Sequence, residues 1–314
     1  MLPWGFKLSL GNRQGGKALK IFVTGICGML GVDLCQVLRE EHEVVGFDLK
    51  EFPSASFSSA PLVHRGDIAR IDEVKRVFHE VVPHLVVHTA AYTDVDGCEK
   101  NPDKAYEVNA MGTQNVCRAA QDLGIPVMYI STDFVFDGRK NSPYLESDQP
   151  HAISIYGRSK LAGEEYVRTL LKEYFVVRTS WLYGYYGRNF ANTILQLASE
   201  KKELRVVNDQ IGCPTYTKDL SRKIKDLLLT KSYGVYHITN SGSCSWYEFA
   251  REILKLAGIK GVEVMPISSE ELDRPAPRPR FSVLENHRLR LILGNSMRNW
   301  KEALSDYIKR DRAS

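Results

Sequence analysis

The stretch that most constrains the fold is residues 19–31. Leu19-Lys-Ile-Phe-Val-Thr24 is a short β-branched and aromatic run, Gly25-Ile-Cys-Gly-Met-Leu-Gly31 follows it, and apolar Leu30, Leu34, Val37 and Leu38 then recur at helical spacing. Strand, glycine turn and helix in direct succession is the context that gives a glycine motif meaning. In this Gly-x-x-Gly-x-x-Gly spacing Gly25 suits a tight turn, Gly28 lets a pyrophosphate approach the backbone, and Gly31 allows close helix packing. The helix N-terminus adds unpaired amides and a positive dipole end for the phosphates. A dinucleotide-binding unit is the expectation.

The alternation continues. Glu43-Val-Val-Gly-Phe-Asp48 reads as a second strand whose terminal acid lies 23 residues after Gly25 (48 − 25), close to the roughly 20 expected of the residue that bonds an adenosine ribose. Asp48 argues for NADH, because a carboxylate repels a 2′-phosphate, while Lys50 is placed to pair with that phosphate and argues for NADPH; a plain strand-end turn is an equal reading of Asp48. Leu62-Val-His-Arg-Gly-Asp-Ile68 is a third strand ending at Asp67, positioned for the adenine. An amphipathic helix follows with Ile71, Val74, Val77, Phe78 and Val81, then a strand over 84–90, after which Ala90, Ala91 and Tyr92 suit backbone passing close under a cofactor. A long helix from about Pro102 to Leu123 carries Asn109, and 126–130 forms a fifth strand. Alternating strands and helices predict an α/β fold, a doubly wound parallel sheet buried on both faces.

At the carboxyl end of the fifth strand, where open α/β sheets bind ligands, stands Ser131-Thr-Asp-Phe-Val-Phe-Asp-Gly138. Thr132 there is placed to face a nicotinamide, although Ser-Thr-Asp also serves as a turn or cap. Next comes Ile155-Tyr-Gly-Arg-Ser-Lys-Leu-Ala-Gly-Glu164, with Tyr156 and Lys160 one helical turn apart on one face. A free phenol keeps its proton until about pH 10, and an ammonium beside it is expected to draw that value down. Two common residues at helical spacing are by themselves usually just a solvated face. The sixth strand, 174–179, leads to Ser180-Trp-Leu-Tyr-Gly184.

Beyond residue 180 the alternation loosens. Asn208-Asp-Gln-Ile-Gly-Cys-Pro-Thr215 is a polar loop, Ser245-Trp-Tyr-Glu248 fits a capping box that opens a helix, residues 274–280 are too proline-rich for a helix, and 300–308 is amphipathic. The expected organisation is a leader outside the core at 1–18, a dinucleotide-binding core at 19–180, and at 181–314 a smaller, mainly substrate-binding lobe with some segments returning to the core.

Composition excludes several classes. Over 314 residues the net charge is +4 and no basic run is interleaved with aromatics, so no nucleic-acid partner is expected. No apolar run approaches the roughly 18 residues of a membrane helix and no signal peptide is legible, so no membrane partner is expected and the reading is a cytoplasmic protein. The six cysteines, at 27, 35, 98, 117, 213 and 244, lack metal-ligand spacing and read as buried free thiols; no metal is assigned.

Taken together the chain resembles the extended short-chain dehydrogenase/reductase superfamily and, within it, the dTDP-4-dehydrorhamnose reductases. The narrower resemblance rests on 131–138, 156–164, 180–184, Asp209-Gln-Ile-Gly-Cys-Pro-Thr215 and Arg278-Pro-Arg-Phe-Ser-Val-Leu284, and covers about 19–305. It implies a Rossmann-type fold and a catalytic triad of Thr132, Tyr156 and Lys160. It implies a cofactor site at Gly25, Gly28, Met29, Leu30 and Gly31, with Asp48, Asp67, Ile68, Ala90, Ala91, Tyr92 and Asn109 beside them and Tyr156 and Lys160 on the nicotinamide ribose. Asp133 and Trp181 match positions that hold a sugar nucleotide, a dTDP-sugar; a core role is the other reading of Trp181. Where the family often has Gln-Leu and Tyr, this chain has Met29-Leu30 and Phe134, and the first 18 residues have no counterpart. The implied reaction is NADPH- or NADH-dependent reduction of the 4-keto group of dTDP-4-dehydro-β-L-rhamnose. Dehydratases of this fold carry Asp-Glu directly after the triad Thr; here Phe134 follows Asp133, which argues for reduction over elimination. A second reading is a non-catalytic dinucleotide-binding regulatory subunit resembling the methionine adenosyltransferase β subunit. A homodimer is one assembly open to either.

Overall fold

A computed structural model describes residues 18–53, 59–294 and 297–311; the expected leader at 1–18 lies, but for its last residue, outside the described residues. The chain runs β1 (Lys20–Thr24), α1 (Met29–Leu38), β2 (Glu43–Asp48), β3 (Leu62–Arg65), α2 (Ile71–Val81), β4 (Leu85–His88), α3 (Val95–Lys100), α4 (Pro102–Tyr106), a π-helical turn (Glu107–Gly112), α5 (Thr113–Leu123), β5 (Val127–Thr132), α6 (Ile155–Leu170) and β6 (Tyr174–Thr179). It continues with β7 (Leu182–Tyr183), α7 (Phe190–Glu200), β8 (Glu203–Val207), β9 (Ile211–Gly212), β10 (Thr215–Tyr216), α8 (Thr217–Leu228), β11 (Gly234–His237), β12 (Cys244–Ser245), α9 (Trp246–Leu256), β13 (Glu263–Ile267), α10 (His287–Leu293) and α11 (Trp300–Asp311).

Seven strands form one parallel sheet in the order β11-β6-β5-β4-β1-β2-β3. The chain starts at β1, winds outward through β2 and β3, then returns to β4 on the other side of β1 and winds the opposite way. The strand ends therefore diverge between β1 and β4, which opens a crevice at their carboxyl ends. Period-two side chains feed two cores: Ile21 and Val23 join Leu34, Leu38, Leu220 and Leu227 on one face, whereas Phe22 joins Phe47, Val77, Phe78 and Val116 on the other. A third core, with Tyr183, Ile194, Leu204, Phe249, Ile253 and Trp300, belongs to the C-terminal lobe around the parallel pair β8 and β13. The expected capping box is present: the Ser245 amide donates to Glu248 Oε2 at 2.8 Å and the Glu248 amide to Ser245 Oγ at 3.1 Å.

Three expected element bounds need correction: the long helix and the ends of the third and fifth strands. The helix expected from Pro102 to Leu123 is broken by the π turn, which inserts extra backbone around Asn109. The third strand stops at Arg65, short of Asp67, and the fifth extends through Thr132. The strand β11, a segment from beyond residue 180 that returns to the core, completes the sheet against β6. Among the described residues no helix is long and apolar enough to cross a membrane.

Candidate active site

The carboxyl ends of β1, β2, β4, β5 and β6 border a cleft of about 1160 Å³ that runs from the glycine loop to Trp181. At its floor Gly25 has φ +71, the left-handed region that favours glycine, and a Cβ there would lie 2.6 Å from the Ala90 nitrogen. A Cβ on Gly31 would sit 2.2 Å from the Gly25 carbonyl oxygen. Gly28, at the N-cap of α1, faces only that oxygen, at 3.2 Å, so its outer side is open to a ligand. Met29 and Leu30 continue the cleft wall on the first turn of α1.

Both oxygens of Asp48 are turned onto the chain's own backbone: Oδ2 accepts from the Cys27 amide at 2.9 Å and Oδ1 from the Lys50 amide at 3.0 Å. Asp67 Oδ1 accepts from the Ala69 amide at 2.9 Å, and buried Ile68 packs against Gly112. Asp48, Lys50, Asp67, Ile68, Ala90 and Ala91 all line the cleft; Tyr92 and Asn109 do not. Asn109 is fully buried behind it, where its Oδ1 accepts from the Tyr92 amide at 2.7 Å and its Nδ2 donates to the Tyr92 carbonyl at 3.0 Å and to Ser159 Oγ at 3.0 Å. These two residues brace the turn after β4, and the π turn brings Asn109 opposite Tyr92. π turns of this kind are frequent at functional sites.

Thr132 ends β5, and its hydroxyl donates to Asp133 Oδ1 at 3.1 Å. Tyr156 lies in the first turn of α6, started by the Ser154 cap on Gly157, and its ring meets Phe134 edge-on at 5.6 Å. Burial raises the Tyr156 phenol well above its ordinary value; a hydrogen bond with Thr132 pulls it down and the charge of Asp133 raises it. The expected lowering by Lys160 does not hold in this state. Lys160 is buried, its Nζ donates to the Ile130 carbonyl at 2.7 Å and stands 4.1 Å over the Tyr129 ring, and burial lowers its value to about 7 against the charge of Glu164. Its neighbour His88 is kept neutral, lowered to about 3 by burial and by the charge of Lys160.

Trp181 has φ +47, an uncommon conformation for a bulky residue, of the sort that clusters at functional sites. Its ring lies flat on Trp246, and both border the main cleft and a second cavity of about 580 Å³ in the C-terminal lobe. Gly212 makes room for the indole, since a Cβ there would lie 2.5 Å from it. Arg274 and Arg278 line both cavities, and Arg278 Nη2 donates to Asp96 Oδ2 at 2.8 Å. Sequence reasoning did not place Trp246, Arg274 or Arg278 in the site; the capping box and the Arg-Pro run were the only local signals. Among the described residues no His, Cys, Asp or Glu cluster suits a metal.

The two-way winding, the glycine floor and the Thr-Tyr-Lys wall at one strand end define a Rossmann-type reductase. Comparison with known proteins narrows the class. The RmlD substrate binding domain profile matches residues 19–313. The spore coat polysaccharide biosynthesis protein SpsK of Bacillus subtilis is 41% identical, over 92% of this chain and 97% of its own. A dTDP-4-dehydrorhamnose reductase of Sinorhizobium fredii is 36% identical, over 91% and 95%. The crystal structure of dTDP-4-dehydrorhamnose reductase from Bacillus anthracis in complex with NADP superposes with a TM-score of 0.86 at 43% identity, over 93% of this chain and 99% of that one. The chain belongs to the dTDP-4-dehydrorhamnose reductase family.

Proposed function

We propose that this enzyme reduces the 4-keto group of dTDP-4-dehydro-β-L-rhamnose to give dTDP-β-L-rhamnose, with NADPH or NADH as reductant. The observation that supports the reading is that Thr132, Tyr156 and Lys160 line the same cleft as the glycine loop, and that Trp181 and Trp246 border both this cleft and the second cavity. A dinucleotide fits the floor: the positions where a side chain would fill the cradle are glycines, and Gly28 opens outward at the start of α1. Asp48 and Lys50 flank the end where an adenosine ribose would lie, and Lys160 would hold the nicotinamide ribose.

When bound, the reduced nicotinamide supplies the hydride for the keto carbon. Thr132, with its proton turned from Asp133 Oδ1 to the substrate, and Tyr156 donate hydrogen bonds to the keto oxygen, where they are worth most as negative charge grows. A phenol keeps its proton at neutral pH, burial reinforces this at Tyr156, and in this acid form it passes that proton to the new alkoxide. The charge of Lys160 then offsets the phenolate. Trp181 packs on the sugar, and Asp133 accepts from a sugar hydroxyl. The residue after Asp133 is Phe134, so the second acid of an elimination is missing at that position.

Purified protein mixed with NADPH and the dTDP-keto sugar is expected to consume nicotinamide absorbance and yield the 4-hydroxy sugar. Tyr156→Phe is expected to bind NADPH as the wild type does and to lose about 10²–10⁴ in kcat. Undiminished reduction by that variant would sink the mechanism, and no reduction by the wild type would sink the assignment.

A further inference from the structure

Beneath the reaction centre lies a charged cluster to which the proposed chemistry gives no role. Glu164 is on α6 one turn past Lys160 and is wholly buried. Its Oε1 accepts from Ser131 Oγ at 2.6 Å and Arg178 Nε at 2.9 Å, and its Oε2 from Arg178 Nη2 at 2.7 Å and Arg168 Nη2 at 3.2 Å. Ser131 directly precedes Thr132, and Arg178 is the register partner of Ser131 on β6. One carboxylate thus ties the end of β5, the end of β6 and the catalytic helix together.

Resting on the reductase reading, we propose that Glu164 is a positioning residue: its carboxylate fixes the strand end carrying Thr132 to the helix carrying Tyr156 and Lys160, and supplies negative charge one turn from the Lys160 ammonium. Stability alone is a poor explanation for the cluster, since a buried ion pair is often no better than apolar packing of the same volume. The other groups around Lys160 carry no negative charge: Nζ donates to the Ile130 carbonyl, Tyr129 on β5 offers a ring face, His88 on β4 is neutral, and Tyr156 on the same helix keeps its proton. Burial works against the ammonium and Glu164 works for it. Arg178 and Arg168 in turn donate to the Glu164 carboxylate.

The test follows the Lys160 titration by NMR in ligand-free, full-length protein carrying ¹³Cε-lysine, with the signal assigned by Lys160→Met. Glu164→Gln leaves the Arg178 charge buried without its partner and endangers folding, so Glu164→Gln/Arg178→Met is measured beside it and compared with Arg178→Met alone, a pair that differs only in the Glu164 charge. Lys160 is expected to titrate about one pH unit lower in Glu164→Gln than in the wild type, and in the double variant than in Arg178→Met, and the alkaline limb of kcat/KM is expected to move the same way. A Lys160 titration that does not differ between Arg178→Met and the double variant overturns the proposal. Because that titration needs neither cofactor nor sugar, a failure of the reductase assignment shows up separately, as absent turnover in the wild type.

Discussion

Trp181 and Trp246, 65 residues apart in the chain (246 − 181), lie with ring centroids 3.4 Å apart and planes 7° from parallel. The backbone of Trp181 holds a left-handed conformation to reach this stack, and Gly212 clears the space behind it. The pair forms a flat apolar wall between the main cleft and the second cavity, suited to the face of a sugar ring.

Truncating Trp246 should therefore weaken sugar-nucleotide binding more than chemistry. Aromatic pairs contribute about 0.5–1.5 kcal/mol beyond their area, so Trp246→Ala is expected to raise KM for the keto sugar by up to about tenfold with kcat little changed and NADPH affinity unaltered. Steady-state kinetics decide; a loss confined to kcat would mean that the pair serves the reacting centre.

Asp133 combines a functional and a stability effect of opposite sign. Among the described residues its buried Oδ2 has no hydrogen-bond partner within 3.5 Å, and burial raises the carboxyl to about 6 against the lowering pull of the Ser282 and Thr132 hydroxyls. If the charged form accepts a sugar hydroxyl, KM falls as pH rises through about 6. The folded value lies above the ordinary 3.8, so the group's contribution to stability is full below that ordinary value and is lost as pH rises through about 6. Asp133→Asn is expected to flatten KM against pH between 5 and 7 and to raise KM at pH 8. The same variant should be more stable than wild type at pH 8 by up to about 3 kcal/mol. Denaturant melts at pH 5 and 8 supply the second half; a destabilised variant at pH 8 would show that the charge is satisfied.

The three glycines of the first turn are expected to separate cofactor binding from folding. Gly28→Ala meets only the Gly25 carbonyl, at 3.2 Å, so its Tm should stay near wild type while NADPH affinity drops, because the methyl occupies the phosphate approach. Gly31→Ala brings a methyl to 2.2 Å from the same oxygen, so its Tm should fall as well. Calorimetry with and without NADPH distinguishes the two; equal NADPH affinity for Gly28→Ala and wild type would remove the phosphates from this loop.

Local pattern carried the first half of the molecule because each strand there is a β-branched run and each connection has a glycine or polar break. Thr132, Tyr156 and Lys160 were legible for the same reason: one ends a strand and two share a helix face. Burial was not legible, since it is set by chain segments far away, and so the sign of the Tyr156 shift was misread. Asn109 stood in an unbroken helical pattern that hides a π turn. Trp246, Arg274 and Arg278 reach the cleft through folding of the C-terminal lobe, which leaves no periodic mark in a sequence. The strand β11 is four residues long and follows a short turn, too brief to stand out from loop.

That late strand bears on how the protein is made. When synthesis reaches residue 180 the first six strands exist, but the outer edge of β6 awaits Gly234–His237, and α1 still lacks α8, whose Leu220, Ile224 and Leu227 share its core and whose Thr217 hydroxyl donates to Asp33 at 2.5 Å. A nascent chain of that length presents an open parallel edge and an uncovered apolar helix, both invitations to wrong partners. The nucleotide half is thus not a portable module: a gene fragment cut at residue 180 should yield aggregate, and fusions or split reporters belong elsewhere in the chain.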